Sequence, residues 1–445
     1  MGKSRILLLL AAGGVAAALL LFGGPFSGSP AGEIFRIHAS AASRSADQGS
    51  LDALLVGFST GDTAGYVRKL ERRVALNPND GDALTLLGLA YQQRARETGD
   101  PSFYSLSGRA LRRASAAGGQ LPLIEQGLAS LANTRHRFTA GLALARRAIR
   151  LDRENGSAYG ALGDALLNLG RYKAAFKAYD RMAVLSPGIA AFTRIANARE
   201  LLGRPAAAAE ADELALEADS AVPEQVAWAT VQLGNVRFNT GHLDLAAQAY
   251  RRALRVVPGY VHAEAGLARI EASEGRYGPA IARLRHVVDV LPIPAYVIML
   301  GDVLQVSGHE SAARREYALV GVIERLFQAN GVRTELQTAL FDLDHDRHVS
   351  AALARARVAY RSAPGIYAED ALAWGLFRAG RCTEARRHSV HALRLGTRDA
   401  LLIFHRAMIE RCLGSSSARG WFSRALTINP HFSFLWSPVA REALR

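Results

Sequence analysis

The chain has 445 residues and a formal net charge of +14, and only four of its 54 basic residues are lysines. The arginines are spread along the whole chain and form no block, which favours a solvated surface and argues against a nucleic-acid partner. The only cysteines are Cys382 and Cys412, which excludes lipid attachment at an N-terminal cysteine.

The N-terminus has the features of an export signal. Lys3 and Arg5 precede an uncharged run from Ile6 to Phe22, whose length lies between that of a signal-peptide core and that of a membrane span. We predict that residues 1–24 are a signal peptide or an N-terminal signal anchor, followed by a flexible linker over residues 25–50. Because the basic residues lie on the short side of the run, we expect the rest to be extracytoplasmic, either secreted or periplasmic or anchored to the cytoplasmic membrane.

The stretch from Gly156 to Pro187 shows the pattern that the rest of the chain repeats. Its first half places apolar and small residues at helical spacing around Gly163, and its second half does so around Ala175. Gly170 separates the halves, and Pro187 ends the unit because proline cannot continue a helix. The small residues predict close approach of two helices. Neither helix can bury its apolar stripe alone, so the unit needs neighbours.

Two series of small residues recur along the chain with one common period. The first-helix series steps by 33 to 41 residues and reads Gly88, Ala129, Gly163, Ala196, Gly234, Ala268, Gly301, Leu340, Ala373 and Ala407. The second-helix series has nearly the same steps and reads Ala175, Ala208, Ala246, Ala280, Ala313, Ala352, Ala385 and Ala418. The shared insertions indicate one repeated helix pair.

A period near 34 residues with this pattern of small, aromatic and terminal proline residues resembles the tetratricopeptide repeat. More loosely, the chain resembles secreted or membrane-anchored bacterial proteins of that family. The resemblance implies an all-α, right-handed superhelical solenoid of about 18 to 20 helices. We predict nine to ten repeats over residues 51–430, some of them degenerate, and a C-terminal capping segment over residues 431–445. The aromatic residues of that segment could instead form a docking element.

No catalytic motif is present, and the repeats leave no stretch for a separate enzyme domain. The segment from Asp342 to His348 starts like a calcium loop but lacks its glycine and its final glutamate, so we interpret it as a solvated turn. His388 and His391 lie three residues apart on a helix and make only half of a metal site. We therefore predict a non-catalytic protein with no metal and no cofactor.

The two cysteines fall on helices that the repeat alignment places side by side. Cys382 begins the second helix of one repeat, and Cys412 ends the first helix of the next. Outside the cytoplasm such a pair is a disulfide candidate. The alternative is a pair of small buried hydrophobic residues.

In this family the residue after each first-helix small residue points into the concave groove, where peptides bind. The resemblance therefore nominates a set of ligand-binding residues: Asp164, Asn197, Asn235, Arg269, Asp302, Phe341, Trp374 and, one turn further, Phe377. The first five predict a polar groove, and the three aromatic residues predict an exposed apolar pocket near the C-terminus.

These observations lead to two hypotheses about function. The first is an extracytoplasmic scaffold that binds a protein or peptide in its concave groove, in the assembly of an envelope or transport complex. The alternative is binding of an anionic cell-envelope polymer or lipid through the arginine-rich surface. An uncleaved N-terminal segment would add a membrane contact, and the sequence leaves the partner and the oligomeric state open.

Overall fold

The computed structural model of the protein describes residues 62–218 and 222–445, so the predicted signal and linker lie outside it. These residues form 22 helices and no strand. No helix among them is long and apolar enough to cross a membrane. The helices are α1 Thr63–Leu76, α2 Gly81–Thr98, α3 Ser102–Ala116, α4 Leu121–Thr134, α5 Phe138–Leu151, α6 Gly156–Asn168, α7 Tyr172–Leu185, α8 Ile189–Leu201, α9 Pro205–Glu217, α10 Pro223–Asn239, α11 Leu243–Val256, α12 Val261–Ser273, α13 Tyr277–Val290, α14 Pro294–Val306, α15 Glu310–Ala329, α16 Glu335–Asp344, α17 Val349–Ser362, α18 Ile366–Arg378, α19 Cys382–Ala392, α20 Ala400–Cys412, α21 Ala418–Ile428 and α22 Trp436–Glu442.

Twenty of the helices form ten antiparallel pairs, from α2–α3 to α20–α21, with α1 and α22 at the two ends. The α6–α7 pair shows how the sequence sets the boundaries. The Asn155 side chain caps α6 by accepting a hydrogen bond from the Ala158 amide, which satisfies one of the free donors at the start of the helix. Gly170 has a φ of 71°, a left-handed conformation that glycine adopts at low cost, and it ends the helix.

The pairs stack so that the array curves around its first helices. First helices of neighbouring pairs pack against each other. The main packing contacts of the second helices are all with first helices. The first helices therefore form the inner wall, and the second helices form the outer surface. Charge follows this division: the ten second helices carry 24 basic and 11 acidic residues, and the ten first helices carry 9 basic and 15 acidic residues.

The curvature is tight enough for the array to meet itself after five pairs. The turn inside the α6–α7 pair lies against the loop after α17, where the Tyr172 hydroxyl accepts a 2.7 Å hydrogen bond from the Ile366 amide. Five pairs also separate the other contacts of this kind. Arg333 donates its amide to the Arg135 carbonyl at 3.2 Å, and the Asn429 side chain donates to the Phe238 carbonyl at 3.0 Å. We call this line of contacts the seam.

A glycine at the seam gives a test of this closure. A Cβ on Gly203 would lie 2.1 Å from the Gly396 carbonyl oxygen, which belongs to the next turn of the superhelix. We expect Gly203→Val to separate the turns and increase the radius of gyration in small-angle scattering, with helix content retained. Gly275→Val is the matched control, because Gly275 is also left-handed but has no atom within 4 Å of the position that a Cβ would take. Equal scattering from the two variants would contradict a closed seam.

The C-terminal tail packs as a cap on the last pair. Phe432 is buried in the same cluster as Phe404 and Phe422 of the final pair, and Trp436 packs edge-on against Trp374. This burial contradicts the docking-element interpretation of the tail. Its aromatic side chains cover apolar surface that the last repeat would otherwise expose.

Cys382 and Cys412 form a disulfide with a Cα–Cα distance of 6.2 Å, as their positions in the repeats indicate. The bond ties α19 to the end of α20 across a sequence separation of 30 residues. We expect Cys382→Ser/Cys412→Ser to lower the free energy of unfolding by about 2–4 kcal/mol, through the added entropy of the unfolded chain. Urea titrations of the variant and the oxidised wild type would measure this, and equal midpoints would contradict it.

Candidate functional site

The inner wall holds all eight predicted ligand-binding residues, but most of their polar groups are engaged within the wall. Asp164, Asn235 and Asp302 each accept a hydrogen bond from a tyrosine hydroxyl fifteen residues later, at 3.0, 2.8 and 2.8 Å. In each case the tyrosine ring packs against the preceding glycine. A Cβ at Gly163, Gly234 or Gly301 would meet ring carbons at 2.3 to 2.5 Å.

This arrangement explains why both glycine and alanine occur in the first-helix series. Where the small residue is glycine, the residue sixteen positions later is tyrosine, as in Gly234 with Tyr250. Where it is alanine, the later residue is smaller, as in Ala129 with Ala145. The polar residue after the glycine therefore accepts a hydrogen bond from the tyrosine hydroxyl and fixes the position of the ring. The predicted position in the groove does not by itself reveal this structural role.

Asp164 has a second partner that joins two neighbouring repeats. The Arg194 guanidinium donates to both of its carboxylate oxygens at 3.0 Å, and both side chains are almost fully buried. Burial raises the pKa of the Asp164 carboxyl, while the charge and hydrogen bonds of Arg194 oppose that rise. The pair therefore cross-links α6 to α8 in a dry part of the inner wall.

Asn197 is buried, and Arg269 lies over the Phe238 ring with its guanidinium carbon 3.8 Å from the ring centre. Such a cation–π contact holds the arginine against the first helix of the preceding repeat. Both residues lie on first helices. Arg269, Asn235, Asp302 and Phe377 are half-buried, whereas the other four residues of the predicted set are buried.

The predicted apolar pocket is not exposed. Trp374 is completely buried and stacks on His405 and Phe377 at ring distances of 4.2 and 4.8 Å. Phe341 is also buried and packs against His345. The expectation of exposed aromatic anchors is therefore wrong for these two residues, because neighbouring repeats and the C-terminal cap cover them.

Instead, the structure places an acidic cluster on the inner wall. We define the inner acidic cluster as Glu200, Asp302, Asp344, Asp370 and Asp399, which α8, α14, α16, α18 and the cap of α20 contribute. The His345 Nε2–H donates to the Asp302 carboxylate at 2.7 Å, and the His405 Nδ1–H donates to the Asp370 carboxylate at 2.8 Å. Trp374 donates its indole N–H to Asp344 at 3.0 Å.

Burial is the main influence on the ionisation of this cluster. Burial raises the pKa of Glu200 to about 7, and the nearby charge of Asp399 adds to the rise. Burial also raises the pKa of Asp344 and of Asp399. Burial lowers the pKa of His405, but the charge and hydrogen bond of Asp370 outweigh it and the net change is upward.

Two polar atoms at the cluster are buried without a hydrogen-bond partner: the Asp370 Oδ1 and the His405 Nε2. Sequence reasoning missed Asp370, Asp399 and His405 as interior residues. The signal was present, because Asp370 precedes Trp374 by one helical turn and therefore lies on the same face of α18. Their meeting with Glu200 depends on the closure of the array, which no local pattern encodes.

The segment that starts like a calcium loop is not a solvated turn throughout, since α16 continues to Asp344. Asp342 pairs with Arg355 at 2.6 Å, and Asp344 belongs to the inner acidic cluster. His388 and His391 both contact the buried carboxylate of Glu369. Among the described residues, no group of three potential ligands has metal-binding geometry.

Asp212 is a buried carboxylate for which the structure provides no hydrogen-bond partner. Burial raises its pKa well above the usual value, and the nearby charges of Glu200 and Glu213 add to the rise. Because the folded state then binds a proton that the unfolded state releases, its contribution to stability falls as pH rises above the unfolded-state pKa.

We expect Asp212→Ala to raise the free energy of unfolding by about 1–3 kcal/mol at pH 8, since it removes an unsatisfied buried group. Alanine already occupies the equivalent position, Ala145, in another repeat. The gain should shrink towards pH 4, where the carboxyl is protonated in the folded state and about half protonated in the unfolded state. Thermal unfolding across this pH range measures it, with Glu210→Ala, an exposed residue of the same helix, as control. A gain independent of pH would contradict the assignment.

Comparison with known proteins agrees with this architecture. The family model described as "Tetratricopeptide repeat" matches residues 127–188 and 231–287, which include most of α4–α7 and most of α10–α13. No curated protein sequence matches the chain. Repeats of this kind serve as protein-interaction scaffolds.

Several solved structures are similar at low sequence identity. MamA is 19% identical over 36% of this chain and 92% of its own, with a TM-score of 0.29. PilW, described as a widely conserved type IV pilus biogenesis factor, is 17% identical over 47% of this chain and 98% of its own, with a TM-score of 0.39. A human IFIT1 dimer with m7Gppp-AAAA is 14% identical over 84% of this chain and 89% of its own, with a TM-score of 0.43.

The identification depends on the family matches together with the ten helix pairs at one repeat spacing and the glycine–tyrosine packing inside them. The chain is an all-α solenoid of tetratricopeptide repeats.

Proposed function

We propose that the protein is a non-catalytic extracytoplasmic scaffold that binds a basic segment of a protein partner along its inner wall, in the assembly of an envelope or transport complex. The observation that carries this proposal is the inner acidic cluster. Five carboxylates converge there, and the cationic groups nearby are Arg269, Arg347, Arg378, His345 and His405. A lysine or arginine side chain from a partner would supply the charge that the wall lacks.

A partner can reach the inner acidic cluster only through the carboxylates that remain partly exposed to solvent. Glu200, Asp302, Asp344 and Asp399 keep some contact with solvent, whereas Asp370 and His405 do not. A bound segment would therefore reach the first four and leave the Asp370–His405 pair as support. Since the predicted aromatic anchors are buried, we expect charge to dominate the interaction and binding to weaken with ionic strength.

The test is capture of partners from envelope extracts with the full chain as bait. We expect Glu200→Gln/Asp302→Asn to reduce capture by about tenfold, because two of the interior charges are removed with little change in side-chain shape. Glu310→Gln/Glu384→Gln removes two charges from the outer surface and should leave capture unchanged. Capture that is equal in both variants would contradict an interior site.

The outer surface supports a second candidate, the binding of an anionic polymer or lipid. Its helices carry 24 basic residues against 11 acidic ones. The two candidates respond to opposite probes: polylysine should compete for the inner wall, and a polyanion should compete for the outer surface.

A further inference from the structure

Within residues 62–218 and 222–445, the seam contacts involve only one edge of the first superhelical turn, and no seam contact involves the other edge. Each seam contact joins the turn inside one pair to the loop that follows the second helix five pairs later. The loops in these contacts are those after α15, α17, α19 and α21. The loops after α5, α7, α9 and α11 lie on the corresponding edge one full turn earlier, and the loops after α1 and α3 precede them on the same side of the array. We call the loops after α1, α3, α5 and α7, with the helical turns that flank each loop, the free edge.

Apolar side chains protrude from this edge. Leu76 ends α1 and is 89% exposed, and Val184 near the end of α7 is 71% exposed. Leu151 ends α5, Leu121 begins α4, and both are also exposed. Exposed apolar residues are ordinary when they are scattered, but these four occupy one edge of successive repeats.

Basic side chains accompany them. Arg150 precedes Leu151, and Arg181 lies one helical turn before Val184. Helices α1, α3, α5 and α7 together carry 13 basic and 2 acidic residues. The pattern ends abruptly at α9, which has no basic residue and four acidic ones.

We propose that the free edge docks on the anionic phospholipid surface of the membrane, with the leucine and valine side chains among the headgroups and the arginines on lipid phosphates. Apolar residues next to basic ones are the combination by which proteins bind anionic bilayers. The occupant follows from this charge and from chain connectivity. The predicted membrane segment, Ile6 to Phe22, precedes α1 by 40 residues in the sequence, so an uncleaved segment would tether this end of the array to the bilayer. The proposal does not depend on the inner wall binding a partner.

The test uses the full chain in lipid nanodiscs and hydrogen exchange read by mass spectrometry. In discs that contain phosphatidylglycerol, we expect amides in residues 117–122, 150–157 and 183–190 to exchange at least about threefold more slowly than in pure phosphatidylcholine discs. Residues 378–383 form a turn far along the array and should not change. No slowing at the free edge, or equal slowing in both lipids, would overturn the proposal.

Matched variants separate the edge from general charge effects. Leu151→Ser/Val184→Ser should abolish the protection. Val290→Ser/Val390→Ser removes exposed apolar side chains from the ends of second helices beyond the first turn and should retain it. If dextran sulfate without lipid gives the same protection, and the Leu151/Val184 variant is unaffected, the edge is a general polyanion surface and the lipid proposal is wrong.

Discussion

Replacing Arg194 by methionine is expected to lower the free energy of unfolding by about 3–5 kcal/mol, because it leaves the buried Asp164 carboxylate without its cation. Both oxygens of Asp164 accept hydrogen bonds from Arg194 at 3.0 Å, and the Tyr179 hydroxyl would remain as a donor. Urea titration measures the loss. The deficit should shrink on acidification, because a protonated Asp164 no longer carries the uncompensated charge.

Two controls separate this effect from general loss of an ion pair. Arg276→Met removes the exposed pair with Glu274, which is solvated on both sides, and should cost less than about 1 kcal/mol. Asp164→Asn/Arg194→Met removes both charges and should recover much of the stability lost in the single variant. A single variant within about 1 kcal/mol of wild type would show that the pair does not support the α6–α8 junction.

The second large effect is expected at the glycine–tyrosine contact of the α10–α11 pair. Tyr250→Ala should cost about 3–5 kcal/mol by leaving a cavity, because the tyrosine is fully buried against Gly234 and Gly266. Gly234→Ala should cost about 1–3 kcal/mol by overpacking, since the added Cβ would lie 2.5 Å from the ring.

The double variant is the informative measurement. Gly234→Ala/Tyr250→Ala reproduces the alanine pair found at Ala129 and Ala145, so its cost should be clearly less than the sum of the single costs. Gly278→Ala serves as control, because nothing lies within 4 Å of the position that its Cβ would take, and it should be neutral or slightly stabilising. Strict additivity of the two single variants would show that glycine and tyrosine do not depend on each other.

The residues of the inner wall show that the family resemblance predicts the positions of side chains better than it predicts their contacts. Position within the repeat predicts Asp164, Asn235 and Asp302 as groove residues, and all three lie on first helices. It does not reveal that each of these carboxylate or amide groups already accepts a hydrogen bond from a tyrosine hydroxyl, because the tyrosine belongs to the second helix of the pair. The same rule predicts an exposed Trp374, which is buried because Trp436 from the tail packs on it.

The sequence by itself determined the helix pairs and their period, since these follow from local spacing of small and apolar residues and from glycines at turns. It also placed the two cysteines on adjacent helices. Only the tertiary structure decided that the array closes after five pairs, because curvature is a small rotation summed over many repeats. That closure creates the seam and brings Glu200 towards Asp399.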